Sequence, residues 1–240
     1  MEKLFNSIKL VIEKHFIICV GFFCLLIIVA ILDKALAMGL ILLIVLMCFT
    51  FWIIKKLGLS NKHLVTLLLI ALVIHLIAVL FIYYTDFQPF GGGYGGYEKA
   101  HIIAVSLSEN IRQGDFSFDD VPYYKIGKYP YNHFPIIISI IYLVTMPEMI
   151  VGQMFLVWLS VLTALFAYLI IIEIGGSKKW AVVTSLIISA YPSYIFYSSL
   201  LLKDSLVIPL TLLGMLLCLK LIKDFSWKKF RKPKQKPLLL

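Results

Sequence analysis

Charge is scarce in this 240-residue sequence: Asp, Glu, Lys and Arg together make up 15% of it, against 61% hydrophobic residues. With a mean hydropathy of +0.97, that excludes an ordinary soluble domain and leaves a polytopic, all-α membrane helix bundle. Cysteine is sparse too. Cys19, Cys24, Cys48 and Cys218 all lie in apolar runs, with no CxxC pair and no His at ligand spacing, so a zinc site is excluded and small apolar core residues are expected. Away from the ends of the apolar runs, His75 is the one charge-bearing candidate, and no inverted repeat or pair of broken hydrophobic segments is visible, which weighs against a transporter. The net charge of +9 does not indicate nucleic acid, because the basic residues stand at the ends of apolar runs, as the positive-inside bias requires.

What the sequence does contain is a series of runs long enough to cross a hydrocarbon core of roughly 30 Å. Phe16 to Leu32 is the first, followed by a tight Asp33-Lys34 turn. No cleavage site follows it, so it is expected to act as an uncleaved insertion signal. Ala35 to Ile54 and Leu64 to Tyr84 are the second and third, with Lys55, Lys56 and Lys62 between them. Ile150 to Ile172, Trp180 to Tyr197 and Leu206 to Ile222 complete six, the last with a kink expected at Pro209. Phe134 to Met146 is apolar but reaches only about 20 Å as a helix and is bracketed by Pro135 and Pro147, so it is expected to be juxtamembrane or re-entrant. His75, near mid-depth of the third run, has a functional reading and a structural one, a neutral imidazole bonded to a neighbouring helix; the structural one is favoured.

One long polar segment interrupts the series, from Thr85 to Phe134. It holds Asp86, Glu98, Glu109, Asp115, Asp119 and Asp120, nearly half of the 13 carboxylates. Its Gly91-Gly92-Gly93-Tyr94-Gly95-Gly96 run permits close backbone approach to a ligand but lacks GxGxxG or GxxxxGKS spacing, so it is no nucleotide-binding fingerprint. Tyr97 to Gln113 has apolar residues at helical spacing (Ala100, Ile103, Ala104, Leu107, Ile111) and predicts an amphipathic helix in the interface plane, stopped by Gly114. The organisation expected is therefore a three-span region over 1–84, an extracytoplasmic loop over 85–149, a second three-span region over 150–222 and a basic cytoplasmic tail over 223–240.

Charge counting fixes the expected sidedness. With both termini inside and the short Phe134 helix not crossing, 16 of the 22 basic residues face the cytoplasm against 4 of the 13 acidic ones, leaving +12 inside and −3 outside. Lys203-Asp204 then emerges on the outer face together with the large loop.

That face has no ATP or nucleotide sugar, so transfer chemistry there needs a donor delivered by the membrane, and a lipid-linked one fits. The parts required are a carboxylate base, cations for a phosphate leaving group and an apolar groove for the lipid. The loop carboxylates supply the first, and Lys203, Lys99, Arg112, Lys125 and Lys128 the second. Against this stand plainer readings: Asp115, Asp119 and Asp120 as solvated loop charges, Lys203-Asp204 as an interfacial anchor and Glu98 as a first-turn partner of the helix dipole. Tyr123, Tyr124, Tyr129 and Tyr131 read equally as an aromatic belt. A divalent cation, Mg²⁺ or Mn²⁺, is compatible with carboxylates at a phosphate site, but no ligand set is defined and the metal stays unknown.

From Thr85 to Ile222 the chain resembles the membrane glycosyltransferases of the GT-C class, in particular the polyprenyl- or dolichyl-phosphate-sugar-dependent group (glycosyltransferase family 39-like) that includes protein O-mannosyltransferases and aminoarabinose transferases. Glu98 opens an amphipathic helix ending Arg112-Gln113-Gly114-Asp115-Phe116. Tyr129-Pro130-Tyr131-Asn132-His133-Phe134-Pro135 is similar to the family's aromatic and proline-rich lead-in to a juxtamembrane helix. Gly175-Gly176-Ser177-Lys178-Lys179 is similar to its basic turn, and Tyr191-Pro192 precedes Ser199-Leu200-Leu201-Leu202-Lys203-Asp204. The resemblance implies an inverting transfer from a lipid phosphate to a hydroxyl of a glycan, lipid or protein. Glu98 or Asp86 would be the first-loop catalytic carboxylate and Asp204 the second, with Lys203, His101, Arg112, Tyr131 and His133 binding substrate. The family's Asp-Glu pair at the first site does not occur here, so Glu98 and Asp86 stay open. The chain is also shorter than the group's usual members, which carries a second reading, a truncated relative or partner subunit that binds a polyprenyl lipid without catalysis. The location implied is the cytoplasmic (plasma) membrane, with the site on its outer face.

Overall fold

The computed structural model describes residues 28, 29, 31–59, 61–85, 87, 96–116 and 133–230, and every regular element in them is a helix. The first expected span lies outside the described residues except for helical turns at 28–29 and 31–32. In order the helices are α1 (Lys34–Lys56), α2 (Lys62–Thr85), α3 (Gly96–Arg112), α4 (Phe134–Val144), α5 (Met149–Glu173), α6 (Lys178–Ser189), α7 (Pro192–Ser198) and α8 (Asp204–Phe230).

Local chemistry sets their ends. Asp33, expected in a turn, is the N-cap of α1: its Oδ1 accepts from the Leu36 N–H at 2.9 Å. Gly58, at φ +67°, closes α1 with the Leu59 N–H bonded back to the Ile54 carbonyl at 3.0 Å. Asn61 then accepts from the Leu64 N–H at 2.9 Å and starts α2. Gly114, at φ +82°, ends α3 where the sequence predicted a stop. α4 is 11 residues long with Pro135 in its first turn, too short to cross, in line with the juxtamembrane expectation. α8 continues to Phe230, past the expected start of the tail.

α1, α2, α5 and residues Asp204–Lys223 of α8 are each long and apolar enough to cross a membrane. α5 is the axis, with 61% of its most apolar window buried against 33% for α1 and α2 and 17% for α8; α1, α2, α6 and α8 all pack on it. Between apolar helices in lipid there is no hydrophobic drive, so close packing and hydrogen bonds hold the bundle. A Cβ at Gly39 would stand 2.8 Å from Met154 Cγ, which shows how near α1 comes to α5. Trp158 Nε1 donates to Thr50 Oγ1 at 2.8 Å, again between α5 and α1, and Tyr194 of α7 donates to Thr163 of α5 at 2.7 Å. Such bonds contribute roughly 0.6 kcal/mol each inside a membrane.

The expected span Trp180 to Tyr197 is not one helix. α6 and α7 meet at a bend of 61°, because Pro192 lacks an N–H and forces the residue before it out of the helical region; Tyr191 is extended at ψ 120°. The pair still carries the chain from one end of the bundle to the other. Lys223 of α8 pairs with Glu173 at the C-terminal end of α5 at 2.9 Å, whereas Leu201, just before α8, packs on Gly152 near the start of α5. α5 and α8 therefore run parallel, and residues 178–203 make the return crossing. His75 takes the structural role: it is buried, with Nδ1 2.8 Å from Ser198 Oγ of α7. The cysteines correct an expectation, for Cys48 of α1 and Cys218 of α8 are exposed and do not fill the core; Cys19 and Cys24 lie outside the described residues.

Candidate active site

The break between α6 and α7 opens a groove. α7 turns 61° from α6 and a link of five residues joins it to α8, and the two helices form the walls of a cavity of about 400 Å³ lined by Tyr191, Ser193, Tyr194, Tyr197, Asp204, Val207 and Ile208. Its lining is mostly aromatic and aliphatic. Asp204, the first residue of α8, supplies the carboxylate, and as a first-turn acid it also complements the positive end of the helix dipole. Lys203 is exposed beside it. The non-helical Ser199–Lys203 link is anchored to α5: Gln153 Nε2 donates to the Ser199 carbonyl at 3.0 Å, satisfying a backbone group that the link leaves outside any helix.

The loop helix reaches the same end of the bundle through α4. His101 Nδ1 lies 2.8 Å from the Tyr142 hydroxyl, and Arg112 Nη2 donates to the Tyr142 carbonyl at 2.8 Å. Tyr142 in turn is fully buried, and its hydroxyl would stand 3.1 Å from a Cβ at Gly152, where Leu201 would stand at 3.0 Å. A chain of contacts thus runs from α3 through Tyr142 to the segment that presents Asp204. Burial lowers the His101 pKa from its ordinary value and raises that of Tyr142, to which the negative charge of Glu148 adds. A neutral imidazole paired with a neutral phenol is the consistent state.

Of the residues singled out from the sequence, Asp204 and Lys203 stand at the groove, Glu98 is half-exposed in the first turn of α3, and His133 is exposed just before α4. His101 and Arg112 are engaged in holding α3 on α4. Asp86 and Tyr131 lie outside the described residues. Sequence reasoning missed the tyrosine wall: Tyr191, Tyr194 and Tyr197 recur every three residues after a break signalled by Pro192, and that spacing was the available cue. It also missed Gln153, a polar residue in an otherwise apolar run, where a buried amide implies a partner. No group of three or more His, Cys, Asp or Glu side chains able to hold a metal occurs among the described residues.

No curated protein and no solved structure matches the chain. Residues 123–240, just under half of it, match the family model for dolichyl-phosphate-mannose-protein mannosyltransferase. The matched region holds α4 to α8 and with them the groove.

Proposed function

We propose that the protein transfers a sugar from a polyprenyl-phosphate-linked donor to a hydroxyl acceptor at the outer face of the membrane. The observation that carries the reading is a carboxylate, Asp204, at the head of a tyrosine-lined apolar groove inside the region that matches the mannosyltransferase family. An isoprenoid tail is served by the apolar walls, and a phosphate by the adjacent Lys203. Transfer with inversion needs a base to take the acceptor's proton while the hydroxyl oxygen attacks the anomeric carbon opposite the departing lipid phosphate. Glu98 or Asp86 is suited to that step; Glu98 stands in the first turn of α3, the helix that His101 and Arg112 hold on α4.

The direct test offers purified protein in nanodiscs a panel of radiolabelled polyprenyl-phosphate sugars with peptide and glycan acceptors. Transfer is expected, and Asp204→Asn and Glu98→Gln should each reduce it by about 100-fold or more with unchanged membrane insertion. Full activity in both variants would remove these residues from the site. Donor binding without turnover in the wild type would favour the non-catalytic, lipid-binding reading.

A further inference from the structure

The second cavity of the bundle lies at its opposite end. It measures about 410 Å³ and is lined by His63, Lys178, Lys179, Val182 and Val183, within the range of small-ligand clefts, roughly 300–1,000 Å³. It sits between the first turns of α2 and α6. Lys55, Lys56, Lys62, Lys220 and Lys223 are at the same end, and the acidic side chain described there, Glu173, is already paired with Lys223. Among the described residues no carboxylate pairs with Lys178 or Lys179. Among the described side chains the cleft is therefore cationic, with no carboxylate in its lining.

Its order along α6 is that of an amphiphile. Lys178 and Val182, like Lys179 and Val183, are four residues apart and share a helix face. Two ammonium groups stand at the end of the bundle, and two valines follow one turn deeper. Trp180, 65% exposed in the same first turn, marks the level of the lipid headgroups, and the α6 N-terminus, capped by Ser177, adds its dipole to the attraction for an anion. A soluble acidic peptide would leave the valine wall bare, whereas a lipid with an anionic phosphate covers both halves.

We propose that this cleft binds the phosphate of an anionic phospholipid, with Lys178 and Lys179 on the headgroup and Val182 and Val183 against the first methylenes of an acyl chain. The site is separate from the groove at Asp204 and does not depend on the transfer reaction. Delipidated full-length protein in nonionic detergent should retain added phosphatidylglycerol over phosphatidylcholine in native mass spectrometry and gain thermal stability from it. The Lys178→Gln/Lys179→Gln double variant should lose about 30-fold in phosphatidylglycerol affinity, from two lysines near an anionic headgroup, and Lys178→Arg/Lys179→Arg should keep it. Lys55→Gln/Lys56→Gln, at the same end but outside the cleft, should bind as the wild type does. An equal loss in that control, no preference for the anionic lipid, or displacement by millimolar inorganic phosphate alone would overturn the proposal; the last outcome would mark a free-anion site.

Discussion

Tyr142 joins α3, α4 and α5 at the end that holds Asp204. Its hydroxyl meets His101 and stands over Gly152, which Leu201 also approaches, and its carbonyl meets Arg112. The pairing with His101 makes the docking of α3 depend on pH. Burial lowers the folded-state pKa of His101 below its ordinary 6.5, so a detached α3 takes up the proton first. The stability His101 lends is full above 6.5 and is lost progressively as the pH falls from there through the lowered value. Hydrogen exchange over residues 96–112, corrected for intrinsic rates, should show weaker protection at pH 5.5 than at 7.5, and His101→Gln should abolish the difference. Gly152 gives a second expectation at this scale. A methyl there meets Leu201 at 3.0 and 3.2 Å and the Tyr142 hydroxyl at 3.1 Å, so Gly152→Ala should lower stability by about 1–3 kcal/mol, readable as a lower thermal unfolding midpoint in detergent. An unchanged midpoint would mean that the Ser199–Lys203 link yields freely.

The helices differ in how far the sequence announces them. α3 was legible almost to the residue, because its apolar positions recur at helical spacing and Gly114 can adopt the positive φ that ends it. α1, α2, α5 and the apolar part of α8 were legible from length alone. The division of Trp180 to Tyr197 into α6 and α7 was not. Hydropathy runs unbroken through it, and since proline is tolerated inside membrane helices, Pro192 does not by itself distinguish a bent span from a broken one. Pro209, inside α8, makes the same point from the other side. The central place of α5 was equally hidden, for apolar periodicity fades when lipid and protein interior are both apolar. What marks α5 is its small and polar content, Gly152, Gln153, Ser160, Thr163 and Ala164, all buried. Of the site, Asp204 was named from the sequence, while the groove it heads depends on the α6–α7 bend and needed the structure.

For the whole molecule, the sidedness expected from charge is open to a direct check. Cysteine placed at Lys203 should react with an impermeant maleimide added outside the cell, and cysteine at Lys178 should react only after the membrane is opened; the reverse pattern would put the groove on the cytoplasmic side. On the sidedness expected from charge, the two cavities described above would face opposite leaflets, Asp204 outward and the lysine cleft inward. The Ser199–Lys203 link gives the outward one its mechanical character. Its walls, α7 and α8, are joined at that link, and the link is fastened to α5 through Gln153 and Gly152. The walls converge at the link beside Asp204, and the Tyr194 bond to Thr163 keeps α7 on α5 as well. On the function proposed above, a long apolar molecule lying in the groove would stop where these walls converge, with its polar end beside Asp204.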